Sequence, residues 1–135
     1  MNSDASALIL EYAKNPPNKG ALPNPTFSYH ESNRSCGDSM TVHVAVSDER
    51  VTGYSFEGDT AIVTTAAAAI FGEAIVGTTL EEILGYTYEN VREMIGGDIS
   101  PKRQMAACLA LLATRNGIHE YRKDGKKDDF SDVIE

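Results

Sequence analysis

The sequence predicts an α+β domain: a three-stranded antiparallel sheet with helices packed on one face. Two observations carry that prediction. Residues 40–47 and 51–57 alternate apolar with polar side chains, the period of half-buried strands. Outside this block the apolar residues fall at helical spacing between recognisable caps and breakers. A helix, then three strands, then more helices places the helices together against a single sheet.

The first helix is expected over residues 4–14, with Ala5, Leu8, Ile9 and Tyr12 on one stripe and Ser3 or Asp4 as N-cap. Asn15-Pro16-Pro17 ends it, because proline can neither donate nor continue the turn. Strand patterns follow at 27–31, 40–47 and 51–57, the last two joined by the polar turn Ser47-Asp48-Glu49-Arg50. Residues 61–76 are rich in alanine and read as a helix closed by Gly77. Thr79 with Glu82 is a capping box for a short helix through Leu84. Tyr88, Val91, Met94 and Ile95 give one more before Gly96-Gly97. Ser100 and Pro101 open a long last helix that Asn116-Gly117 should end. The chain reads as a single domain over 1–135, with an ordered core of about 3–117 and a charged, partly ordered tail over about 118–135.

Twenty acids against twelve bases give a net charge of −8. The basic residues Arg122, Lys123, Lys126 and Lys127 are interleaved with Asp124, Asp128 and Asp129 and read as a solvated segment, so nucleic acid is not an expected partner. No apolar run reaches the length of a membrane span, and the first residues lack the order of a signal peptide. A cytoplasmic, membrane-free protein is the expectation. In that setting Cys36 and Cys108 are expected to be free thiols and not a disulfide.

Ser35-Cys36-Gly37-Asp38 carries the most chemistry. A thiolate and a carboxylate two residues apart can address one metal ion, the glycine lets the backbone turn around it, and Arg34 favours the thiolate. His30 and His43 on strands, and His119 in the tail, have no partner at ligand spacing and read as surface or satisfied positions. No triad, phosphate loop or HExxH points to a self-contained enzyme.

In combination these segments resemble the scaffold proteins of iron–sulfur cluster assembly, the NifU N-terminal or IscU-like family. The carriers are residues 9–20 (ILEYAKNPPNKG), the CGD of residues 36–38, Phe56-Glu57-Gly58 leading to residues 74–82 (AIVGTTLEE), and residues 100–110 (SPKRQMAACLA). They occur in the family's order from about Leu8 to about Gly117. The resemblance implies a scaffold that takes sulfur from a cysteine desulfurase, assembles an iron–sulfur cluster or holds zinc, and passes its product to acceptor proteins.

The family's metal ligands are three cysteines, the aspartate of CGD and, in one branch, a histidine. Cys36 and Asp38 are the metal-ligand candidates that survive here, and Cys36 is also the expected sulfur acceptor. The second cysteine falls on Ala61 (Thr60 after a one-residue shift), the third on Ala106, and the histidine on Met105. A methyl group binds neither iron nor zinc, so these degenerate positions imply weakened or lost cluster binding. Cys108 is a secondary candidate, but two residues past Ala106 it is rotated about 200° around a helix. The segment that corresponds to the family's chaperone-recognition site reads Ile99-Ser100-Pro101-Lys102-Arg103 and departs from the family pattern. Three functions follow: a divergent scaffold, a persulfide-accepting sulfur-transfer module without metal, or a regulatory adaptor for a desulfurase.

Overall fold

The computed structural model describes residues 3–34 and 37–134. Its elements are α1 (Ser3–Lys14), β1 (Phe27–Asn33), β2 (Asp38–Ser47), β3 (Arg50–Asp59), α2 (Ile62–Ile75), α3 (Leu80–Leu84), α4 (Tyr88–Ile95), α5 (Gln104–Arg122) and α6 (Phe130–Val133), with a 3₁₀ turn at Pro101–Arg103. The three strands form an antiparallel sheet in the order β1-β2-β3.

Alternation in β2 does what the sequence suggested. Met40, Val42 and Val44 are fully buried under the helices, while Thr41 and His43 face outward. The register places Val42 between Tyr29 and Phe56, and Val44 between Phe27 and Tyr54. A two-residue turn joins β2 to β3 with Asp48 and Glu49 both at positive φ (51° and 61°), the backbone that matches strand twist in tight hairpins. The free edge of β3 is covered at both ends. Phe56 N–H donates to Asn18 O (3.1 Å) and Gly20 N–H to Phe56 O (2.8 Å), while Val51 N–H donates to Thr78 O (2.9 Å). Pairing these groups removes a template for edge-to-edge association.

Helix α2 is apolar on nearly every side, the pattern of an interior helix. Its buried run Ala66, Ala67, Ala68 and Ala69 lets α1 and α5 pack closely on either side of it. Helix α5 crosses β1 and β2 and supplies much of the remaining core through Cys108, Leu109, Leu111 and Ile118.

Three local expectations change. Strands β1 and β2 extend to Asn33 and Asp38, which pair with each other, so Asp38 begins a strand instead of sitting in a loop. Pro101 opens a 3₁₀ turn, Ser100 makes no side-chain cap, and α5 itself starts at Gln104. The helix also runs past Asn116-Gly117 to Arg122. Gly117 is a close-approach position there and not a stop: a Cβ would lie 2.5 Å from the Phe27 ring. Asn116 is held by tertiary bonds, donating to Glu31 Oε1 (2.9 Å) and to Asp128 O (3.0 Å). Local turn signals lose to these contacts. The charged segment beyond Gly117 buries Ile118, His119 and Val133, a feature that charge composition alone concealed.

Candidate functional site

Four chain segments meet at one end of the sheet around a pocket of about 610 Å³. Helix α1 contributes Ser6, Ile9 and Leu10; the start of β2 contributes Asp38. The start of α2 brings Ala61, Ile62, Val63 and Thr64, and the start of α5 brings Arg103 and Ala106. The structure therefore gathers Asp38, Ala61 and Ala106, three of the positions singled out from sequence, on one wall system.

Asp38 is 4% exposed, and both carboxylate oxygens are engaged. Oδ1 accepts from the Ala61 N–H at 2.8 Å, and Oδ2 accepts from the Thr64 hydroxyl at 2.6 Å. Ala61 is the N-cap residue of α2 and has no side chain that could cap it. Asp38 reaches across from β2 and does so instead, satisfying a backbone donor that the helix start would leave orphaned. Thr64 is fully buried, so its hydroxyl needs this acceptor. Gly37, at φ 74°, donates its N–H to Asn33 O (3.0 Å) and turns the chain into β2.

The other candidates divide. Cys36 lies outside the described residues. Met105 is half-buried and does not line the pocket. Cys108 is fully buried in the core, and burial pushes its thiol up to about 12. Its distance in angle from Ala106 is the physical reason: Ala106 faces the pocket, and Cys108 faces the interior. Thr60, the alternative to Ala61, is absent from the lining and shares its hydroxyl with Thr65 Oγ1 at 2.6 Å. Among the described residues no three His, Cys, Asp or Glu side chains are placed to hold a metal ion. The described lining residues offer one committed carboxylate and no sulfur, a set that by itself does not suit iron or zinc; Cys36, the other ligand candidate, is not among them.

All three histidines have polar partners away from the pocket. His30 Nδ1 lies 3.0 Å from Thr41 Oγ1, and His43 sits between Ser28 Oγ (2.7 Å) and Glu57 Oε2 (3.0 Å). His119 lies between Asp124 and Asp128, at 2.7 and 2.9 Å. Sequence reasoning missed Thr64 and Arg103. Thr64 bonds a residue 26 positions away, so no local pattern announced it. Arg103 sits in a segment read for its resemblance and for its departure from a recognition site, not for a free cation.

No helix among the described residues is long and apolar enough to cross a membrane. The family model of the NifU-like N terminal domain matches residues 5–128. Two iron-sulfur cluster assembly scaffold proteins of Archaeoglobus fulgidus, IscU 1 and IscU 2, are each 32% identical over 127 residues, covering 93% of this chain and 82% of theirs. The zinc-dependent sulfurtransferase SufU of Bacillus subtilis is 31% identical over 77 residues, 57% of this chain and 52% of its own length. The crystal structure of a NifU-like N-terminal protein from Brucella abortus superposes with a TM-score of 0.70 at 20% identity, covering 87% of this chain and 94% of that one. A match to nearly the whole chain, with a shared fold and scaffold relatives at this identity, makes the chain a member of the NifU-like N-terminal domain family of iron–sulfur cluster assembly scaffolds.

Proposed function

We propose that this chain is a divergent scaffold-family protein that does not hold an iron–sulfur cluster, or zinc, stably on a single subunit. It acts in the cytosol beside a cysteine desulfurase and the acceptor proteins of cluster assembly. The observation that supports this reading is the convergence of Asp38, Ala61 and Ala106. Two ligand positions present methyl groups, and the remaining carboxylate is spent on Ala61 N–H and Thr64 Oγ1. Iron and sulfide are the cargo of such a site, and cargo needs free donors.

Anaerobic reconstitution with iron and sulfide tests it. The natural chain should retain far less than one cluster per subunit, and Ala61→Cys combined with Ala106→Cys should raise the yield several-fold. A stoichiometric, stable cluster on the unmodified chain would overturn the reading.

A second reading is supported by the sulfurtransferase name of the Bacillus subtilis relative. Here Cys36 attacks the outer sulfur of a desulfurase persulfide; its own sulfur gains that atom, and the desulfurase thiolate leaves. The test is mass spectrometry after incubation with a desulfurase and free cysteine. One added sulfur on the Cys36 peptide, with Cys108 unmodified, is the expected result. Equal loading of both cysteines, or of neither, would remove it.

A further inference from the structure

With alanine at two of its expected thiolate positions, the pocket is still concave, and its chemistry suits a different guest. Ile9, Leu10, Ile62, Val63 and the methyl groups of Ala61 and Ala106 make most of its wall. Its volume of about 610 Å³ falls inside the range of roughly 300–1,000 Å³ usual for small-molecule sites, which combine apolar walls with few polar groups. Leu10 and Ile62 are 62% and 59% exposed at its border, so apolar surface continues outward from the cavity.

Of its polar groups, Asp38 and Thr64 satisfy each other and the start of α2. That leaves the Ser6 hydroxyl and the Arg103 guanidinium. Arg92, Arg115 and Arg122 each pair with an acid, whereas Arg103 has no ion-pair partner among the described residues. A single guanidinium matches a planar carboxylate through two parallel hydrogen bonds. A multiply charged anion is a poorer match, because one cation faces it and the chain as a whole carries −8.

We propose that this pocket binds a monocarboxylate with an apolar chain, its head on Arg103 and its tail between α1 and the start of α2. The proposal rests on the reading that neither metal nor cluster occupies the site. The site is thus a converted one: losing thiolates to alanine enlarged the apolar wall, and the helix-capping use of Asp38 kept a free negative charge out of it.

Decanoate, held below its micellar concentration, is the probe, with decanol as the uncharged control. Calorimetry on the full, chelator-treated chain should show saturable binding of one decanoate per subunit, with decanol at least tenfold weaker. Arg103→Gln, at an exposed position, should weaken decanoate about tenfold and leave decanol unchanged. Ala106→Leu, checked for a retained melting transition, should weaken both by filling the cavity. Absence of saturable decanoate binding overturns the proposal and leaves the apolar border to a protein partner. Equal affinity for acid and alcohol, or an indifferent Arg103→Gln variant, overturns the assigned head group. Cluster loading is measured separately, so a chain that takes up iron and sulfide stoichiometrically fails the reading that it holds no cluster, whereas a metal-free chain that ignores decanoate fails only this one.

Discussion

The two ends of α5 are built on opposite plans. At the C-terminal end, Arg115 Nε and His119 Nε2 both reach Asp128 Oδ2 at 2.9 Å, and His119 Nδ1 reaches Asp124 at 2.7 Å. Asn116 exchanges two further bonds with the Asp128 backbone and one with Glu31. At the N-terminal end, Ala106 presents a methyl group to the pocket, and Arg103 has no ion-pair partner among the described residues. One end spends its polar groups on holding the chain's last segment against α5 and β1. The other end, which lines the candidate pocket, keeps one structural carboxylate and one uncommitted cation. Polarity that serves the fold is thus dense and mutually satisfied. Polarity left over for a ligand is sparse.

The largest effect should come from breaking the satisfied end. Asp128→Ala leaves Arg115 and His119 facing each other without their shared carboxylate, in a site where Arg115 and Asp128 side chains are only 11% and 14% exposed. A loss of about 3 kcal/mol is expected by denaturant titration, as for a largely buried pair deprived of one partner. Hydrogen exchange should accelerate over residues 124–134. Acid should weaken the same end: His119 and the Lys126 N–H hold the Asp124 carboxyl below its ordinary value. A depressed carboxylate adds stability above its unfolded pKa and loses it as pH falls through the folded one. An unchanged denaturation midpoint for Asp128→Ala would show that the segment is held by Val133 and its apolar neighbours instead.

A smaller effect tests what Asp38 does at the other end. Asp38→Ala removes the cap from α2 and strands the buried Thr64 hydroxyl, a cost of about 2 kcal/mol. Asp38→Asn should recover most of it, because an amide can accept from Ala61 N–H and donate to Thr64 Oγ1. A carboxylate needed for its charge, as a metal ligand would be, gains nothing from that substitution. Melting curves of the two variants separate these roles. Asparagine as damaging as alanine would sink the capping assignment.

This division explains what could be read in the sequence. The sheet was legible because Met40, Val42 and Val44 alternate strictly, and period-two burial has one reading. The pocket was legible only through resemblance: nothing in the composition around Ala61 or Ala106 says that residues 45 positions apart share a wall. Asp38 reads as half of a ligand pair because Cys36 stands two positions before it, while its hydrogen-bond partners lie 23 and 26 residues downstream, out of reach of any local pattern. The end of α5 was misread for the same reason. Asn116-Gly117 is a stop signal when judged locally, but here it is a contact surface for Glu31, Phe27 and Tyr29.

The smallest effect concerns Cys108, which lies on α5 between the two ends and outside the pocket lining. Its side chain is fully buried, and burial alone pushes the thiol up to about 12. In the unfolded chain a cysteine titrates near 8.5. The group's raised folded value means that its contribution is fully present below the unfolded pKa and is lost as pH rises toward the folded one. Many groups titrate in this range, so the comparison is with Cys108→Ala, which carries the same background. The stability gap between natural chain and variant should narrow by about 1 kcal/mol between pH 7 and pH 9. In the folded protein at pH 8, iodoacetamide should modify Cys108 only at the rate of unfolding. A gap that stays constant with pH, together with fast alkylation, would mean that the thiol opens into the pocket. Cys108 would then join Cys36 and Asp38 as a donor, and both the apolar guest and the loss of cluster binding would have to be given up together.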